Sequence, residues 1–99
     1  MARYDVYRHD DSGTLLLDVQ ADILEQFGTR VVIPLLPRRP GLKPDNRLHP
    51  TVEVNGSIYF LATHLLNAVP TAVLQTPVGK LRQEHFTIIN ALDRLFGGI

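Results

Sequence analysis

The side chains best suited to acid–base or metal chemistry near neutral pH are four histidines, His9, His49, His64 and His85. Their spacing matches no ligand motif. There is no H-E-x-x-H pair and, with no Cys in the chain, neither a Cys/His cluster nor a thiolate nucleophile. They read as surface or core histidines. Glu84 and His85 are neighbours in a helical pattern, so their side chains diverge by about 100° and do not orient one another as a catalytic dyad does. Asp10-Asp11 has the look of a carboxylate pair, but His9-Asp10-Asp11-Ser12-Gly13 is turn composition, in which Asp bonds its own backbone. Gly79-Lys80 lacks the upstream glycine and the following Ser or Thr of a phosphate-cradling loop. One charged cluster remains: Arg38, Arg39, Lys43 and Arg47, in a segment from Pro37 to Pro50 that carries four prolines. Such a loop suits phosphates or an acidic peptide, or serves only as a solvated surface.

The elements that must position these residues follow from the hydrophobic pattern. Tyr4 and Val6 alternate with Arg3, Asp5 and Tyr7, and Thr14 to Val19 and Thr29 to Leu36 are rich in strand formers. Pro34 donates no ladder bond, so the third strand requires an edge, a bulge or a bend there. Thr51 to Leu61 reads as a hairpin closed by Asn55-Gly56, the pair that a type I′ turn selects. Ala62 to Val69 suggests a helical turn, Pro70 to Leu74 a strand, and Pro77-Val78-Gly79 a break. The last element is an amphipathic helix. Phe86, Ile88, Ile89, Leu92, Leu95 and Phe96 fall on one stripe, Gly97-Gly98 ends it, and Ile99 projects beyond as an apolar residue.

Composition narrows the functional classes. A chain of 99 residues makes one domain, 1–99, burying roughly two-thirds of the surface it exposes unfolded. Ten basic residues balance ten acidic ones, so no overall field draws it to nucleic acid or an anionic membrane, and no direct nucleic-acid binding is expected. Six of the ten acidic residues precede Phe27, which separates them from the basic loop. The missing cysteines fit a reducing cytoplasm, and no apolar run reaches the ~20 residues of a membrane span. At 44% hydrophobic, a core this small suggests burial against a second copy.

Several stretches then resemble a known family: Leu17-Asp18-Val19-Gln20-Ala21-Asp22-Ile23-Leu24, Arg30-Val31-Val32-Ile33-Pro34-Leu35, Val69-Pro70, Asn90-Ala91-Leu92 and Phe96-Gly97-Gly98-Ile99. In this order and separation they resemble the CcdB toxins, the poison of a CcdA/CcdB toxin–antitoxin pair. The resemblance implies a mainly β fold, the SH3-like barrel of antiparallel sheets shared by CcdB and MazF/Kid toxins, with a C-terminal α-helix. It implies a homodimer without catalysis, cofactor or metal, which binds the DNA gyrase A subunit and traps the enzyme covalently joined to cleaved DNA. A CcdA-like antitoxin would neutralise it.

Carried over by position, the gyrase-facing residues are Ile23, Leu24, Asp93, Phe96, Gly97, Gly98 and Ile99. Arg38, Arg39 and Arg47 are the expected contacts for acidic residues of an antitoxin tail. One departure stands out. Gly97 occupies the place where the best-known members carry Trp before the terminal Gly-Ile. Loss of such an aromatic anchor costs about 2 kcal/mol, roughly thirtyfold in affinity. Two other readings stay open: an endoribonuclease toxin of the MazF/Kid type, since one barrel hosts several functions, and a non-toxic homologue that only binds antitoxin.

Overall fold

A computed structural model describes residues 2–10, 12–38 and 45–98. Its seven strands are β1 (Asp5–Arg8), β2 (Leu15–Asp18), β3 (Thr29–Pro37), β4 (Thr51–Val54), β5 (Ser57–Leu61), β6 (Asn67–Pro70) and β7 (Pro77–Lys80). One helix follows, α1 (His85–Gly97). Every strand pairing is antiparallel, along the path β4-β5-β3-β2-β1-β7, with β6 added beside β3.

The nine-residue β3 organises the sheet by serving two partners on one edge. Its first half pairs with β6 over Thr29 to Val32, and its second half pairs with β5 over Leu35 to Pro37. Pro34 falls between these two ladders. Its carbonyl accepts from the Ala62 N–H at 2.9 Å, so the nitrogen without a proton faces the same gap, where no strand asks for a donor. The bend required by the sequence is therefore a change of partner. The two ends of the path also meet. Asn55 Nδ2 donates to the Val78 carbonyl at 2.9 Å, and a Cβ placed on Gly79 would lie 3.1 Å from Val54 Cγ1. The sheet thus curls into a half-barrel, with Gly79 allowing the close approach of β7 to β4.

Alternation sends two sets of side chains to opposite faces. Val6, Leu17, Ile33, Leu35, Val52, Val54 and Leu61 form the main core with Leu81, Ile88 and Ala91. Tyr7, Leu16 and Val32 form a smaller core under Leu74. Asp18 and Arg30 lie on this second side and are fully buried. The Tyr4 hydroxyl meets His85 Nδ1 at 2.6 Å, tying the start of the chain to the start of α1.

Four local expectations are corrected. Only Thr63–Leu65 forms a short helical turn, a 3-10 turn, and β6 follows at once because β3 has a free edge to offer. Thr71–Val73 is a 3-10 turn instead of a strand. Pro77 opens a strand instead of breaking one, since β7 lies at the end of the sheet path and Pro is tolerated at a first position there. On α1 the buried residues are Ile88 and Ala91, while Phe86 and Phe96 leave the apolar stripe and stand 77% and 74% exposed. The hairpin turn matches its expectation, with φ of 51° at Asn55 and 85° at Gly56. No helix among the described residues is long and apolar enough to cross a membrane.

Candidate partner-binding face

The connection from β2 to β3 is built from alternating polar residues. Asp18 closes β2 and binds the buried Arg30 guanidinium, Nε to Oδ2 at 2.8 Å and Nη2 to Oδ1 at 3.0 Å. Gln20 then reaches across the connection. Its amide donates to the carbonyls of Leu24 and Thr29, both at 3.1 Å, and its oxygen accepts from the Val31 N–H at 3.1 Å. Asp22 Oδ1 accepts from the Arg3 N–H at 2.8 Å and from Arg30 Nη2 at 3.2 Å. The backbone between them forms the 3-10 turn Asp22–Phe27. This turn holds Ile23 and Phe27 in water, 82% and 67% exposed, with Leu24 half-exposed beside them. Three large apolar side chains on a turn held by polar bonds are thus left exposed, none of them part of either core.

A second exposed apolar group, Phe96, lies at the end of α1. Gly98 adopts the left-handed conformation, φ 69°, and its N–H donates to the Arg94 carbonyl at 3.0 Å. The Arg94 guanidinium returns the bond, Nη1 donating to the Gly98 carbonyl at 2.9 Å. Arg94 also approaches Asp45 at 3.7 Å. Phe96 therefore sits on a helix end that is pinned from both sides. Gly97 is the last helical residue and Gly98 caps it, because only Gly98 has positive φ.

A groove of about 610 Å³ runs between this helix and the 45–50 segment, lined by Asn46, Arg47, Pro50, Thr87, Asn90, Asp93 and Gly97. Its wall is fastened by a chain of hydrogen bonds. Asp45 N–H donates to His49 Nδ1 at 3.0 Å, which leaves the proton on His49 Nε2, facing His64 Nδ1 at 2.8 Å. Partial burial, and then His64, hold the His49 imidazole below its ordinary pKa against the opposing pull of Asp45. Asp45 itself is held below the usual carboxylate range by the backbone N–H groups of Arg47 and Leu48. Among the described residues no three His, Asp or Glu side chains group as a metal site.

Asp93, Gly97 and Arg47 thus share one groove. Ile23 and Leu24 lie on the β2–β3 turn, a separate part of the same chain. Arg38 is exposed just after β3, while Arg39, Lys43 and Ile99 fall outside the described residues. Sequence reasoning did not single out Phe27 or Arg94, and quoted Asn90 only within a family-like stretch. For Arg94 the signal was available as a cation four residues before a helix-ending glycine. Phe27 announced itself only as an aromatic residue inside a connection.

The Mycobacterium tuberculosis toxin MazF-mt6 is similar in structure, with a TM-score of 0.73 at 13% identity over 94% of this chain and 96% of that one. The curled antiparallel half-barrel with a C-terminal helix is accordingly of the MazF/CcdB type. The family described as CcdB protein matches residues 3–98, the same span that carries the β2–β3 turn and the pinned helix end, and this chain belongs to it.

Proposed function

We propose that this protein is the toxin of a type II toxin–antitoxin system, which binds the DNA gyrase A subunit as a homodimer and traps the covalent gyrase–DNA cleavage complex. It acts by binding and performs no turnover of its own. The observation that carries this reading is the contrast between fixed backbone and bare side chain. Ile23 is 82% and Phe96 74% exposed, yet each sits on a segment braced by directed hydrogen bonds. Preorganised apolar groups of this kind gain affinity because little freedom is lost when a partner covers them. Two such surfaces brought together about a dimer axis would present a symmetric wedge to a symmetric target.

Gly97 is exposed and leaves the helix end without the aromatic ring that the best-known members carry there. Phe96, and Ile23 with Leu24 and Phe27 on the turn, are the large apolar groups left for the contact. A CcdA-like antitoxin with an acidic tail is the second partner, and Arg47 in the groove is a cation suited to it.

An endoribonuclease toxin of the MazF/Kid type is a second reading, favoured by the likeness of fold. It requires a base and several cations converging on RNA, and the described lining of the groove contributes one cation, Arg47. One experiment separates these. Purified protein is added to gyrase with supercoiled DNA, and separately to RNA alone. Linear, protein-linked DNA supports gyrase trapping, and RNA cuts without gyrase support the endoribonuclease. Inactivity in both, with tight binding of the antitoxin, identifies a homologue without toxicity.

A further inference from the structure

Gln20, which precedes the exposed turn, makes three hydrogen bonds to main-chain groups within and beyond it: Leu24 in the turn, and Thr29 and Val31 in β3. A connection with its apolar residues in water has no core packing to define its shape. Here the shape comes from a side chain whose oxygen is tied to Val31 in β3 and whose nitrogen bridges Leu24 in the turn and Thr29 at the start of β3. Gln20 is itself half-buried: its bond from Val31 is partly shielded from competing water, while those to Leu24 and Thr29 lie at the surface. Neighbouring bonds continue the brace: Gln20 N–H donates to Asp18 Oδ1 at 3.1 Å, and the Gln20 carbonyl accepts from Arg30 Nη2 at 3.1 Å. The Leu24 N–H donates to the Ala21 carbonyl at 3.0 Å, and the Thr71 N–H to the Gly28 carbonyl at 3.0 Å.

We infer that Gln20 is the positioning residue of the partner-binding face, clamping the Asp22–Phe27 turn so that Ile23 and Leu24 are offered in a fixed arrangement. The inference rests on the proposed function for the identity of the partner, but the clamp itself is a property of this chain. A hydrophobic contact made by a fixed turn avoids the ordering cost that a loose connection brings to binding. Gln20 touches no partner in this account; it acts through the two residues that do.

Two substitutions divide the role into its parts. Gln20→Ala removes all three bonds. Gln20→Glu keeps the acceptor for Val31 N–H but has no donor for the Leu24 and Thr29 carbonyls, and sets a carboxylate against them. Hydrogen exchange of the amides from Ile23 to Thr29, thermal denaturation, and binding to purified gyrase A subunit are measured for each. The clamp predicts that both variants keep a cooperative thermal transition. It also predicts that both speed exchange in the turn and weaken gyrase binding by about tenfold. A glutamate variant equal to wild type in exchange and binding would overturn the inference, because Gln20 would then only support β3 through Val31. If wild-type protein fails to bind gyrase A, the proposed function fails, and the exchange data alone decide on the clamp. Turn amides unchanged in both variants would overturn it.

Discussion

Arg30 grips Asp18 through two parallel hydrogen bonds, at 2.8 and 3.0 Å, with both side chains sealed from solvent. Burial pushes the Asp18 carboxyl up, and the guanidinium pulls against it. The pair joins the end of β2 to the start of β3, and Arg30 passes the connection on to Asp22. It is the root of the bracket that holds the exposed turn.

Removing one partner leaves the other charge buried alone. Asp18→Leu and Arg30→Met are each expected to cost about 3–5 kcal/mol in urea denaturation, and the double variant less than the sum of the two. Additive losses, or single variants within 1 kcal/mol of wild type, would remove the buried pair from the account.

The polar bracket also shows where sequence reading stopped. The hairpin at Asn55-Gly56, the helix from Phe86 to Phe96 and the Pro34 anomaly were legible, since each rests on a local rule of turn chemistry, period or missing donor. β6 and β7 were not, because their residues, Pro70, Pro77 and Gly79 among them, become strands only when β3 and β1 offer them an edge. The family motif around Asp18, Gln20 and Asp22 was visible as a string, but its physical meaning depends on Arg30 arriving from the next strand. Phe86 looked like core by spacing, and only the placement of Ile88 and Ala91 against the sheet turned it outward.

At the helix end, Gly98 holds φ at 69°, and no heavy atom lies within 4 Å of the position a Cβ would take. The cost of Gly98→Ala is therefore conformational alone, about 1 kcal/mol. Its thermal transition is expected to shift down while the remaining fold is kept. An unchanged transition would show that the last turn does not depend on the left-handed cap.

The groove wall is expected to be sensitive to pH. His49 has a lowered pKa in the folded protein, so the unfolded chain takes up a proton first as pH falls through about 6.5. The unfolded state then binds more protons than the folded one, so stability is full above that value and declines below it. Urea midpoints at pH 7.5 and 5.5 should show a smaller loss for His49→Gln than for wild type. Equal losses in the two proteins would place the pH dependence elsewhere.

The central claim is that the end of α1 and the β2–β3 turn engage gyrase together. It is tested most directly by calorimetric titration of purified gyrase A subunit with wild-type protein, Phe96→Ala and Ile23→Asp. Saturable binding is expected for wild type, with at least thirtyfold weaker binding for each variant, the loss of an exposed apolar anchor. Both positions are exposed, so stability should stay near wild type. Unaltered affinity in either variant would contradict the claim.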